Sequence, residues 1–439
     1  MVALGALLNN LFSQTTNWLN NQQRSDLSLP ELCEQLLSNK GEVTGLSLAC
    51  DILDQFEQQN SEGQKAFLTS LVTEFDLDTN ELNVALKMYE ADPDKASYSK
   101  LMTAATSRRQ TLFKKLNELP GATQRLVNMR KTLLELLPAH PELAVIDQDL
   151  KQLFTSWFNR GFLVLQPISW SSPAHILEKI IAYEAVHAIE SWDDLRRRLQ
   201  PADRRCFSFF HPAMPDEPLI FVEIALSKEI PGAIQAILAD HNEADDGRPK
   251  TATFYSISNC QTGLAGISFG NSLIKTVVSE LRREFESLEK FVTLSPLPVF
   301  ANWLSTQTLS EPVSLENDQH ITDLAACYLV HGKTQSGTPF DPVARFHLGN
   351  GARIHALHAN ADMSENGKSR SHAVMVNYLY DLKQLEENHQ KFAVDGVIAC
   401  SGKVKDRADA TLHLLPELKV QPTSSQLVKQ LPSARHQHR

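Results

Sequence analysis

The chain has 439 residues, enough for two or three domains. Apolar residues make up 42% and charged residues 21%, which allows a large core and excludes a disordered, collagen-like or disulfide-scaffold protein. The net charge of −10 argues against a general nucleic-acid binder, but it leaves room for a small anion held by a local cradle of amides or cations.

No run of 18 apolar residues occurs, so no membrane-spanning helix is expected. Residues 1–24 carry a short apolar stretch without a basic start or an A-x-A-like cleavage site, and are not read as a signal peptide. The six cysteines lie far apart and form no C-x-x-C, which fits reduced thiols in a cytoplasmic protein better than disulfides or zinc.

The first 160 residues hold only 5 of the 18 glycines and 5 of the 21 prolines, so little interrupts helix. Apolar residues recur at helical spacing: Leu32, Leu36 and Leu37; then Leu46, Leu48, Ile52, Leu53 and Phe56; then Phe67, Leu68, Leu71, Val72 and Phe75. Longer helices are predicted over 98–119 and 123–137, with punctuation at Asp92-Pro93, Leu119-Pro120-Gly121 and Pro138–Pro141. We expect a helical, oligomerising domain over 1–160, without chemistry of its own.

From about Gly161 the pattern changes. Ser172 and Pro173 predict a helix start, Ser172 as the N-cap, with the helix running through Ile176, Ile180, Ile181 and Ala185. Strands are predicted over 206–210, 219–226, 251–258 and 291–294, with a helix over 272–288 between the last two. This alternation implies an α/β or α+β catalytic domain over 161–415. Residues 416–439 read as a frayed polar tail.

Chemistry concentrates after Tyr255. Gly263, Gly266 and Gly270 precede a helix starting near Asn271, a setting in which main-chain N–H groups and the helix dipole can hold a diphosphate, with Lys275 one turn inside. Tight packing is the other reading. The loop is neither a Walker loop nor a dinucleotide fingerprint. Ser295 stands at the carboxyl end of the next strand, where ligands of open sheets collect, although a turn or N-cap role would also suit it. No G-x-S-x-G surrounds it. His347 can serve as a general acid or base, or as a buried hydrogen-bonding residue. His355 and His358, three apart, could share a helix face, but without a third ligand they make a poor zinc site. His211 sits in a Pro-rich turn. Arg196, Arg197, Arg198, Arg204 and Arg205 form a basic cluster, read as a solvated face or interface with a phosphate contact as the alternative.

The stretches ISWSSPAHILEKIIAYEAVHAIESWDDLRRRL (Ile168–Leu199), HPAMPDEPLIFVEIAL (His211–Leu226), FYSISNCQTGLAGISFGNSLIKTVVSELRREF (Phe254–Phe285), TLSPLPVF (Thr293–Phe300), DPVARFHLGNGARIHALHANAD (Asp341–Asp362) and MVNYLYDL (Met375–Leu382) follow one another as they do in malonyl-CoA decarboxylases, a family the chain closely resembles. The resemblance implies an α+β architecture: an N-terminal all-helical bundle domain followed by a GNAT acetyltransferase-like mixed-sheet catalytic domain. It implies conversion of malonyl-CoA to acetyl-CoA and carbon dioxide through an enolate, with no metal and no cofactor beyond the CoA of the substrate. It points to Ser295 and His347 as the catalytic pair with Tyr380 beside them. It points to Ala265, Gly266, Ile267, Ser268, Phe269, Gly270 and Asn271 for CoA, to which the residue reading adds Lys275, and to a homodimer or homotetramer. Two departures stand out. Leu264 replaces a glycine of the acetyltransferase loop pattern, and Val299 replaces a glycine expected after Ser-Pro-x-Pro. The tail lacks a Ser-Lys-Leu ending. An acyl-CoA-dependent acyltransferase is the main alternative, and a non-catalytic acyl-CoA sensor is a second.

Overall fold

The computed structural model describes residues 27–239, 248–267, 273–335, 337–416 and 418. The N-terminal reading of residues 1–24, the loop residues Ser268, Phe269, Gly270 and Asn271, and nearly all of the 416–439 tail lie outside them. The described chain forms two compact units.

The first unit is helical. It runs through Val164 and also takes in 210–219 and 261–270, two pieces of chain that the sequence reading grouped with the catalytic domain. Its helices are α1 (Leu29–Ser38), α2 (Glu42–Gln58), α3 (Ser61–Thr73), α4 (Thr79–Ala91), α5 (Lys95–Ala104), α6 (Arg108–Leu116), α7 (Ala122–Leu136) and α8 (Ala144–Trp157). Most of them bury an apolar stripe at three- and four-residue spacing, as in Leu48, Ala49, Ile52, Leu53 and Phe56 of α2, whereas α4 buries only Ala85 and α5 only Ser97 and Ala104. The single helix predicted over 98–119 is broken. Ser107 caps α6 by accepting from the Gln110 N–H, and its hydroxyl and the Arg109 guanidinium both meet the buried Asp149 carboxylate at 3.1 and 2.5 Å. Cap and ion pair together outweigh the continuous apolar pattern.

The second unit is built on a mixed sheet. Its strands are β1 (Val164–Ile168), β2 (Arg204–Phe210), β3 (Ile220–Ser227), β4 (Thr251–Asn259), β5 (Lys290–Thr293), β6 (Ser295–Pro296), β7 (Arg353–His358) and β8 (Met375–Leu379). The order is β1-β2-β3-β4-β5-β8-β6, with β7 also paired to β8. β4 and β5 are parallel, and the other registered pairs are antiparallel. A parallel neighbour requires a crossover, and α12 (Leu273–Glu284) supplies it. The helices of this unit are α9 (Ala174–Tyr183), α10 (Trp192–Leu199), α11 (Ile234–Leu238), α12, α13 (Phe300–Ser305), α14 (Asp318–His331), α15 (Pro342–Gly349), α16 (Glu365–Ser371), α17 (Leu385–Asp395) and α18 (Gly402–Thr411). A helical N-terminal part followed by a mixed sheet is the expected architecture, and the four predicted strands fall within a residue or two of β2 to β5.

Two local readings are corrected. α9 starts at Ala174 with Pro173 as its N-cap, and the Ser172 hydroxyl accepts from the Ser169 N–H instead of capping the helix. His355 and His358 lie on strand β7, so they do not share a helix face; His358 Nε2 faces Asn377 Oδ1 at 2.5 Å.

Helix α15 carries His347, and both of its ends are fixed. Asp341 caps it, accepting from the Val343 and Ala344 N–H groups at 2.9 Å each, with Pro342 in the first turn. At the other end α17 closes on it: the Asn388 amide donates to Gly351 O and His389 Nδ1 donates to Gly349 O. Gly351 adopts φ +85°, and a Cβ there would run into the Leu385 carbonyl. Gly351→Ala therefore meets both a left-handed backbone and a main-chain clash, and should cost roughly 1–3 kcal/mol or more. A thermal melt should show a clearly lower Tm, and an unchanged Tm would show that this turn does not fix the end of α15.

Candidate active site

The second unit brings Ser295, His347 and Tyr380 together, although 52 and 33 residues separate them in sequence. Three elements deliver them. Leu294 interrupts the strand after β5, and the chain re-pairs as β6 with Ser295 opposite Val376 of β8. β8 also pairs with β5 through Leu379, and Tyr380 follows directly, anchored by its N–H to Phe291 O at 2.8 Å. α15 supplies His347. All three side chains are buried, at 6%, 2% and 2% exposure.

Their hydrogen bonds form a chain. The Ser295 hydroxyl donates to Thr293 Oγ1 at 2.9 Å. With that proton committed, Ser295 Oγ meets His347 Nε2, 3.2 Å away, only as an acceptor. Nε2 therefore carries the hydrogen. In a neutral ring Nδ1 is then the acceptor for the Tyr380 hydroxyl at 2.7 Å. Thr293 Oγ1 also accepts from the Tyr378 N–H at 3.3 Å, and the Asn377 amide holds Thr293 O at 2.9 Å.

Burial pushes the His347 pKa down to about 3, so the imidazole is neutral near pH 7. Tyr378 stacks on its face at 4.5 Å between centroids, and Phe346 and Tyr380 stand edge-on. Burial raises the Tyr380 and Tyr378 phenols well above their ordinary values, so both stay protonated. The Tyr378 hydroxyl is buried with no hydrogen-bond partner among the described residues. Asp341 is pushed up to about 6 by burial, against the opposing effect of its cap N–H groups and the Tyr328 hydroxyl that donates to it at 3.2 Å. The site thus holds a neutral imidazole with a proton on the nitrogen facing the serine, and a phenol behind it.

Thr293, Tyr378 and Asp341 were not singled out from sequence. Period-two spacing carries the signal for two of them: Thr293 and Ser295, and Tyr378 and Tyr380, are pairs two apart in extended chain. Asp341-Pro342 is a helix-start signature.

The other candidates lie elsewhere. Lys275 is on α12, half exposed, with Nζ 3.4 Å from the Glu386 carboxylate. Ala265, Gly266 and Ile267 belong to the first unit, where Gly266 is left-handed at φ +73°. His211 is structural: its ring bonds Trp157 O and the Ala213 N–H. The arginine cluster is also spoken for. Arg198 is buried on Glu223, Arg205 pairs with Glu284, Arg204 donates to Ile237 O, Arg197 lies near Asp194, and Arg196 covers the Trp170 ring. Val299 sits at φ −121° as the N-cap of α13, a conformation open to any side chain, so the missing glycine costs nothing there. Among the described residues no three potential metal ligands gather, and no helix is long and apolar enough to cross a membrane.

Known proteins match both the helical and the mixed-sheet parts of the chain. A family model described as the malonyl-CoA decarboxylase C-terminal domain matches residues 161–320 and 310–421. Another, described as the malonyl-CoA decarboxylase N-terminal domain, matches 75–158. The crystal structure of malonyl-CoA decarboxylase from Rhodopseudomonas palustris is 47% identical with a TM-score of 0.81, covering 86% of this chain and 98% of that one. That from Agrobacterium vitis is 46% identical with a TM-score of 0.81, covering 87% and 99%. The mitochondrial malonyl-CoA decarboxylase of Anser anser anser is 35% identical over 333 residues, which span 64% of this chain and 66% of the relative. The chain belongs to the malonyl-CoA decarboxylase family.

Proposed function

We propose that this chain converts malonyl-CoA to acetyl-CoA and carbon dioxide, with Ser295, His347 and Tyr380 acting on the malonyl end. Family membership supports the reaction and does not favour the acyltransferase alternative. The observation that carries the residue assignment is the buried Tyr380–His347–Ser295 hydrogen-bond chain.

Loss of carbon dioxide leaves an enolate spread over C2 and the thioester oxygen, and C2 then takes a proton. Holding the carboxylate out of the thioester plane supplies part of the rate. When the Ser295 hydroxyl turns from Thr293 to the malonyl carboxylate or the enolate oxygen, it becomes the donor that stabilises developing charge. His347 Nε2–H then delivers the proton to C2. As it leaves, the Tyr380 hydroxyl passes its proton to Nδ1, so the ring remains a neutral imidazole and the negative charge of the enolate passes to the Tyr380 oxygen. That phenolate, which burial disfavours, takes a proton from water to complete the cycle. The balance is one malonyl thioester carboxylate and one proton in, one acetyl thioester and one carbon dioxide out.

The same proposal gives residues 265–271 and Lys275 to the CoA nucleotide, and invokes no cofactor. It keeps a helical domain over 1–160, a catalytic domain over 161–415 and a tail over 416–439, in a cytoplasmic homo-oligomer assembled through the helical part. Exposed Val84, Leu86 and Met88 on α4 and Tyr98 and Met102 on α5 support self-association there.

Purified protein should form acetyl-CoA from malonyl-CoA with no acceptor amine present; dependence on an acceptor would establish the transferase instead. Ser295→Ala and His347→Ala should each lower kcat by about 10²–10⁴-fold while CoA still binds. Near-normal turnover in both would remove these residues from the reaction. Tyr380→Phe should give a smaller loss of kcat and a displaced acid limb in the kcat–pH profile, because Nδ1 loses its donor.

Acid stability offers a separate check. The folded His347 titrates near 3 and the unfolded imidazole near 6.5, so the unfolded state binds the proton first and stability falls as pH drops through that window. Asp341, raised to about 6, works in the opposite direction, but it is common to wild type and variant. His347→Gln should therefore lose less Tm than wild type between about pH 7 and about pH 4.5. An equal loss would mean that the imidazole is not held neutral in the folded protein.

A further inference from the structure

The helical unit carries a feature that an oligomerising role leaves unexplained. Arg130 on α7 is almost fully buried, at 1% exposure. Its Nε bonds the Asp147 carboxylate of α8 at 2.8 Å, and its Nη1 donates to two carbonyls of the glycine loop, Gly263 O at 2.7 Å and Ala265 O at 3.0 Å. Gly263 packs so closely on α7 that a Cβ would run into the Val127 carbonyl. The loop is thus clamped to α7 by a charge and a missing side chain.

The clamp fixes which way the loop's amides point. In a trans peptide the carbonyl and the following N–H project to opposite sides. With Ala265 O drawn onto Arg130, the Gly266 N–H is turned away from the helices. It finds no acceptor among the described residues, whereas the Leu264, Ala265 and Ile267 N–H groups close the tight turn on Gln261 O, Thr262 O and Leu264 O. Ala265 and Gly266 are exposed, and with Ala265 at φ −54°, ψ 132° and Gly266 at φ +73° they form the corners of a type II turn closed by the Ile267 N–H on Leu264 O, which leaves the Gly266 N–H as its outward-facing donor. Beside it stands Lys151, one turn after Asp147 on the same face of α8. The point where a Cβ on Gly266 would stand is 3.3 Å from Lys151 Nζ and 3.5 Å from its Cε. Lys151 has no carboxylate partner among the described residues.

We propose that Lys151 is the cation that neutralises the diphosphate of the CoA substrate at the Gly266 amide, and that Arg130 is a positioning residue that turns that amide outward. This rests on the reading of residues 265–271 as the CoA diphosphate loop. It assigns substrate binding, and not only assembly, to α7 and α8.

The test compares the full-length protein with Lys151→Met, Lys151→Arg and Gly266→Ala on three substrates: malonyl-CoA, malonyl-dephospho-CoA, which lacks only the 3′-phosphate, and malonyl-pantetheine, which lacks the diphosphate as well. Lys151→Met should raise KM for malonyl-CoA about tenfold with kcat and Tm unchanged, and Lys151→Arg should restore most of it. The rise should persist with malonyl-dephospho-CoA and vanish with malonyl-pantetheine. A rise that disappears with malonyl-dephospho-CoA, or an equal rise on all three substrates, overturns the diphosphate assignment. If Gly266→Ala raises KM for malonyl-CoA and Lys151→Met does not, the loop reading stands and the lysine is not its cation. If neither variant changes KM for malonyl-CoA, the loop reading itself falls.

Discussion

A neutral imidazole buried among aromatic side chains is the constraint on which the proposed chemistry turns. Among the described residues His347 has no carboxylate in hydrogen-bond reach to favour its charged form; its neighbours are a phenol, an alcohol and aromatic faces. Desolvation alone therefore decides its state and holds it uncharged. Such a ring is a poor base toward a serine hydroxyl, and here the serine's proton is directed at Thr293 and not at the ring. The arrangement differs from a nucleophilic triad, in which an acid behind the histidine stabilises an imidazolium. In the proposed reaction a phenol in that place refills Nδ1 as a proton is given to carbon, so the ring stays neutral and the charge the enolate gives up passes to the phenol oxygen.

Holding those groups in line falls to β8 and α15. β8 pairs with β5, β6 and β7, so the register that sets Ser295 opposite Val376 also sets Tyr378 and Tyr380. The interruption at Leu294 lets two short strands share one partner, and it carries Ser295 beside Thr293 and not along a regular ladder. α15 is only eight residues long, too short to be stable alone. Its position depends on Asp341 at one end and on Gly351, Asn388 and His389 at the other. Asp341 keeps its cap bonds although burial pushes its pKa up to about 6, with the Tyr328 hydroxyl on its second oxygen.

Much of this was legible in the sequence, and what was missed follows a physical pattern. Strands rich in Phe, Val and Ile declared themselves because β2 to β5 are buried along nearly their whole length. Ser295, His347 and Tyr380 stood in stretches specific enough to be named one by one. Thr293 did not, because a threonine inside a Phe-Val-Thr-Leu run reads as strand filler, and only its hydrogen bond gives it meaning. The break between α5 and α6 was hidden because the apolar period continues across it, and the capping serine and its buried acid are 42 residues apart. Arg130 was hidden for the same reason. A basic residue on an amphipathic helix reads as solvated until a loop from 133 residues away places two carbonyls on it.

The second unit also holds a buried polar cluster that resembles an active site in composition yet is built on the opposite principle. Arg198 divides its donors among Glu223, Asp194, His187 O and Ala188 O, while Glu184 accepts from Ser256, Ser258 and two main-chain amides. Arg198 is met there by carboxylates and carbonyls and Glu184 by four donors, while burial and the neighbouring Glu184 push Glu223 up to about 8 and Arg198 holds one of its oxygens; moving Arg198 or Glu184 strands a buried group, at a cost of several kcal/mol. That makes the cluster a rigid tie across β3, β4 and α10. The Tyr380–His347–Ser295 chain carries no formal charge at rest, so its hydroxyls can change partners without such a penalty. That freedom is what the proposed turn of Ser295 from Thr293 to the substrate requires, and it is what the charged cluster, which only holds strands, lacks.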